Sequence, residues 1–198
     1  MGQKIYFDTN QIYFIRRIAY EAEGFEYGDY SWAYDIFPNN PEMVADIKAL
    51  CYIISLQDQW DLEFCSSDAS YTELITTTGK RAHETREAWE AIGEYHLVEK
   101  PRNLRLNEQM LFDLNSKKDK LEFIPDKADR VIIRDFVRQK AEVLLTSDDD
   151  IVRHKNQLAQ LGIRVMRPNE WMNKFLETVR GEEDGVQWVE RILFTIGH

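Results

Sequence analysis

The sequence predicts an α/β fold, a three-layer sandwich with a central parallel sheet of four to five strands. Three observations carry that expectation. Lys4-Ile5-Tyr6-Phe7 favours a strand, ends in Asp8, and passes through Thr9 and Asn10 into an apolar, helix-compatible run from Ile12 to Ile18. The last third alternates apolar strand and amphipathic helix with short connections, which requires right-handed crossovers and helices on both faces of the sheet. A chain of 198 residues with 43% hydrophobic content buries one sizeable core. Residues 1–180 are therefore expected to form a single domain, and residues 181–198 a tail that docks back on it, a partner-binding helix being the alternative.

Taken in order, the first helix runs from Gln11 to Ala22, with Ile12, Ile15, Ile18 and Ala19 at helical spacing, and stops near Gly24. Residues 24–41 carry a dense aromatic group, Phe25, Tyr27, Tyr30, Trp32, Tyr34 and Phe37, and read as an ordered excursion, because a disordered linker is poor in aromatics. Packing over the first helix is its favoured role, and a partner surface or a stacking platform for bases the alternative. Pro41 starts a helix through about Leu56, with Met43, Val44, Ile47, Leu50, Cys51 and Ile54 on one side. Leu62–Ser66 alternates as a short strand. Two helices follow, one from Ala69 with Glu73 near its start and one from Lys80 to Leu97.

Between 100 and 125, Leu104, Leu106, Met110, Leu111 and Leu114 suggest a helix, and Lys117–Lys120 a loop. Asp126 then caps a helix from Lys127 to Lys140, with Ile132, Ile133, Phe136 and Val137 on its apolar side. Glu142–Thr146 is a buried strand, and Ser147 with Asp148 caps a helix to about Leu161. Gly162 ends that helix, Ile163–Met166 is another strand, and Asn169 caps a helix from Glu170 to about Val179.

The formal net charge of -10 argues against broad adhesion to nucleic acid, so a nucleic-acid partner needs a local basic surface or bound cations. Lys117, Lys118 and Lys120 form one basic group, and Arg130, Arg134, Arg138 and Lys140 another. No apolar run reaches membrane-span length, and the start MGQKIYFD lacks the order of a secretory signal; the expected location is the cytoplasm. Cys51 and Cys65 fit buried reduced thiols better than a disulfide or zinc site. His83, His96, His154 and His198 show no metal spacing.

Four acids occupy comparable places. Asp8 ends a strand, Asp148 follows one, and Glu73 and Asp129 lie near the starts of their helices. Helix N-termini and strand carboxyl ends meet at one edge of a parallel sheet, so all four can share a site. Such an oxygen-only set suits Mg²⁺ or Mn²⁺, and converging carboxylates need a cation to offset their repulsion. Asp126 competes with Asp129 but already has a sufficient role as a cap. Asn10 and Thr146 can hydrogen-bond a carboxylate or water, Asp149 is an auxiliary acid, and Arg130 and Arg134 can hold phosphates or serve as plain surface charges.

The order of these motifs, Asp8-Thr9-Asn10 after a strand, Ser70-Tyr71-Thr72-Glu73-Leu74, Asp129 before Ile132 and Ile133, and Leu144-Leu145-Thr146-Ser147-Asp148, resembles the acidic motifs of PIN-domain nucleases. The resemblance covers most of residues 3–178 and departs at 24–41, at 80–125 and after 180. It implies a PIN-like fold and a metal-dependent endoribonuclease with Asp8, Glu73, Asp129 and Asp148 as metal ligands and catalytic groups. RNA is then the substrate, a protein partner or inhibitor fits the aromatic surface, and a homodimer is compatible. The alternative is a non-catalytic PIN-like binding or scaffold protein. A phosphatase of the haloacid-dehalogenase type also starts with a strand ending in Asp, but it wants a second Asp where this chain has Asn10.

Overall fold

The structure, a computed structural model, describes residues 3–21, 30–57, 60–66, 112–113 and 118–179. Its elements are β1 (Lys4–Phe7), α1 (Thr9–Glu21), α2 (Trp32–Ile36), α3 (Pro41–Ser55), β2 (Glu63–Cys65), β3 (Phe112–Asp113), β4 (Lys118–Asp119), α4 (Lys127–Arg138), β5 (Val143–Leu145), α5 (Asp149–Arg153), α6 (Lys155–Gln160), β6 (Val165–Met166) and α7 (Pro168–Val179). The helices expected from Ala69 and from Lys80, with Glu73, and the tail after 180 lie outside the described residues, as do residues 24–29 of the aromatic excursion.

Among the described residues the main sheet has four strands, all parallel, in the order β2-β1-β5-β6. Alternation along each strand divides the core between its faces. Ile5, Phe7, Val143, Leu145 and Met166 pack with residues of α1, α3 and α7, including Ile12, Ile47, Leu50 and Trp171. Tyr6, Leu144 and Val165 pack on the other side with Ile133, Phe136 and Val137 of α4 and Leu158 of α6. The fold is α/β with helices on both faces, and β5, read as a continuous apolar run, is buried throughout.

Local signals explain most boundaries. Asn40 accepts from the Met43 amide at 3.0 Å ahead of Pro41, and Asp126 accepts from the Ala128 amide at 2.7 Å, so both helices have capped starts. Gly162 stops α6 with φ +77°, a conformation that costs glycine little. The aromatic excursion divides. Trp32 and Phe37 lie against Phe14 of α1 at ring distances of 6.2 and 6.0 Å, as expected of packing. Tyr34 and Ile36 face outward, and Tyr34, Phe37, Pro38, Pro41 and Lys48 border an open groove of about 420 Å³.

Three expectations need correction. Phe112–Asp113 is not helical; it pairs antiparallel with Lys118–Asp119, part of the stretch expected to be a loop. The helix after β5 breaks at His154, whose ring Nδ1 lies 2.7 Å from the Asp150 carbonyl, and Asp148 alone caps it, because Ser147 turns elsewhere. The last helix begins at Pro168, whose fixed φ suits a first helical position, so Asn169 lies within the first turn and is not its cap. No helix of the described residues is long and apolar enough to cross a membrane.

Candidate active site

β1 and β5 are neighbours, yet the chain proceeds from β1 to β2 on one side and from β5 to β6 on the other. Their carboxyl ends therefore flank the point where strand order reverses, the crevice in which open parallel sheets bind ligands. Asp8 and the turn Thr146-Ser147-Asp148 stand there, joined by the Asp8 amide donating to the Leu145 carbonyl at 3.3 Å.

Asp8 is only 2% exposed, which makes its charge state the central electrostatic fact of the site. Its Oδ1 accepts from the Gln11 amide at 2.9 Å, so the carboxylate also caps α1. Its Oδ2 accepts from the Thr146 hydroxyl, whose oxygen in turn accepts from the Asp148 amide at 2.9 Å. Asp148 Oδ1 is occupied by the amides of Asp150 and Ile151 at 2.8 and 3.4 Å. Burial, and to a lesser degree the nearby Asp148 carboxylate, push Asp8 up to about 7, against the pull of Thr146 and the Gln11 and Asn10 amides. Among the described residues no Lys or Arg pairs with either acid.

Beside this pair lies a second polar group assembled from α1, α3, β5 and β6. Asp46, fully buried on α3, accepts from the Ser147 hydroxyl at 2.8 Å and from Arg167 Nη1 at 2.9 Å, both on Oδ2, and from the Asn169 amide at 3.2 Å on Oδ1. Gln11 Nε2 donates to Ser147 Oγ at 3.0 Å. Arg167 also holds Glu42 at 3.0 Å through Nε, and Asp149 through Nη2. Burial pushes the Asp46 carboxyl up, and Ser147 and Arg167 pull it back. Burial works against the Arg167 charge, but Asp46, Glu42 and Asp149 outweigh it and raise its pKa.

No protein-family model, curated protein or solved structure matches this chain.

Of the expected residues, the structure brings together Asp8, Thr146 and Asp148. Asp129 is half-buried in the first turn of α4, and Glu73 lies outside the described residues. Among the described residues no group of three or more His, Cys, Asp or Glu side chains is placed to hold a metal ion. The exposed Asn10 contributes its main-chain amide to Asp8. Asp149 is taken up by Arg167. Arg130 donates to the carbonyls of Ile124 at 2.6 Å, Pro125 at 3.4 Å and Glu122 at 3.5 Å, and Arg134 binds Asp119, so both tie the 119–125 segment to α4. Cys51 and Cys65 are free and buried, and burial pushes the Cys65 thiol up to about 12, far from a reactive thiolate.

The sequence reading missed Asp46, Arg167, Ser147 and Gln11 as a unit. Two signals were there to find them. Asp46 shares helical spacing with the buried Leu50 and Ile53, an acid on an apolar face. Arg167 follows the last residue of β6, the same kind of position that singled out Asp8.

Proposed function

We propose that this chain is a PIN-like, metal-dependent nuclease that hydrolyses phosphodiester bonds, with RNA as substrate and Mg²⁺ or Mn²⁺ held by Asp8 and Asp148. The observation that carries the reading is the placing of both acids at the switch point, where Thr146 donates its hydroxyl to the Asp8 carboxylate and accepts from the Asp148 main-chain amide, with neither acid paired to a Lys or Arg among the described residues. Two hard oxygen donors fit the group: Mg²⁺ keeps most of its waters and takes one or two carboxylates together with substrate phosphates. A cation bound there supplies a water of lowered pKa and offsets charge on the leaving oxygen. Thr146 fixes the rotation of the Asp8 carboxylate, the Gln11 amide holds its other oxygen, and capping of α5 holds Asp148. In this reading Glu73 and Asp129 extend the set of acids around the pair.

The test uses end-labelled single-stranded RNA with the purified protein in Mg²⁺ or Mn²⁺ and, in parallel, in EDTA. Cleavage should require the metal and fall to background in Asp8→Asn and Asp148→Asn; cleavage that survives both substitutions sinks the reading. Glu73→Gln and Asp129→Asn then measure how far the acid set extends. A second reading, a PIN-like module that binds without cutting, is favoured by the engagement of Arg130 and Arg134 within the protein. It is the outcome if RNA is bound but left intact.

A further inference from the structure

We propose that Asp46 is a positioning residue for the Asp8–Asp148 pair and acts through Ser147. This inference rests on the metal-binding reading above. Three consecutive residues after β5 point to three different partners: Thr146 to Asp8, Ser147 to Asp46, and Asp148 to the start of α5. The turn is thus fixed from both sides, and Asp46 holds the side facing α3. It touches neither Asp8 nor Asp148 through any bond described above, and its direct contact with the 146–148 turn is the Ser147 hydroxyl. Gln11 closes the circuit, giving its main-chain amide to Asp8 and its side-chain amide to Ser147.

Asp46 is itself immobilised. Both oxygens are engaged, by Ser147, Arg167 and the Asn169 amide, and Arg167 and Asn169 follow β6, which pairs with β5. Stability alone does not account for the arrangement. A buried ion pair is commonly replaceable by apolar residues without loss. Gln11 Oε1 is buried with no donor among the described residues, which is a cost and not a gain. What the network does supply is direction: it fixes where the 146–148 turn sits relative to Asp8. Partners that orient metal ligands in this way typically change metal affinity 10–100-fold when removed.

The experiment is Mn²⁺ titration by calorimetry of the full chain, as native protein, Ser147→Ala, Asp46→Asn and the double variant, with thermal melting of each. Ser147→Ala should weaken Mn²⁺ binding about 10-fold or more. Because both substitutions act on the shared Ser147–Asp46 bond, their effects on Mn²⁺ affinity should be less than additive in the double variant. A merely structural role lowers the melting temperature and leaves the dissociation constant in place. Folded Ser147→Ala that binds Mn²⁺ within about twofold of native overturns the proposal, and this variant decides alone if Asp46→Asn does not fold. Native protein that binds no Mn²⁺ overturns the metal reading itself, and the positioning role with it.

Discussion

Two acidic groups sit side by side on the carboxyl edge of the sheet and are neutralised in opposite ways. Around Asp46 the protein brings its own cation: Arg167 reaches Asp46, Glu42 and Asp149 with different nitrogens, and hydroxyl and amide donors complete the shell. Around Asp8 and Asp148 the described residues bring only hydroxyl and amide hydrogens, and leave a buried carboxyl pushed up to about 7. A carboxylate with a resident guanidinium is part of the framework. A buried carboxyl without one, next to a second, half-buried acid, is favoured when it holds a proton or meets an external cation, which is what the proposed reading requires of it.

The comparison breaks most visibly if the resident cation is removed. Arg167→Met should destabilise the protein by about 3–5 kcal/mol in urea unfolding, because Asp46 would stay buried without its partner, and adding Asp46→Leu should recover most of the loss. If the single substitution costs under about 1 kcal/mol, Arg167 is not what holds Asp46.

Protonation sharpens the other half. The folded pKa of Asp8 lies above its ordinary value of 3.8, so the folded state keeps a proton that the unfolded chain has lost. In EDTA, stability should therefore fall as pH rises from about 4 through 7, by up to about 4 kcal/mol from this group. Asp46 acts with the same sign, so the assignment rests on comparison with Asp8→Asn, in which the decline should be markedly shallower. An equal decline in both proteins would locate the effect elsewhere.

External cation is the next lever. At pH 7.5, Mn²⁺ at about 100 times its dissociation constant should raise unfolding stability by about 2.7 kcal/mol, and Asp148→Asn should abolish that gain. Smallest of all, Asp126→Ala, remote in role from both groups, should cost about 1 kcal/mol as a lost helix cap and leave Mn²⁺ affinity unchanged.

The sequence was most informative where one residue and its neighbours settle the outcome. Apolar runs placed β1 and β5, and Asn40, Asp126 and Gly162 act through bonds or backbone angles within a few positions of themselves. Asp8 and Asp148 were legible because strand carboxyl ends share an edge in any parallel sheet. The Asp46 group was not, because its members come from α1, α3, the end of β5 and the end of β6, and linear spacing does not say which helix face meets which turn. Ser147 illustrates the limit. Next to Asp148 and ahead of a helix it reads as a cap, yet its hydroxyl goes to a residue 101 positions earlier. Asn169 failed for a local reason, since Pro168 already occupies the first helical position.

The double duty of Asp8 as candidate ligand and as cap of α1 has a spectroscopic consequence. The Gln11 amide that donates to its Oδ1 at 2.9 Å hydrogen-bonds directly to the group whose charge state is in question. Its proton resonance should shift with the ionisation of Asp8, and its exchange with solvent should slow when a cation fixes the carboxylate. One backbone signal at the start of a helix can thus serve as a built-in meter of site occupancy, readable without substrate and without turnover.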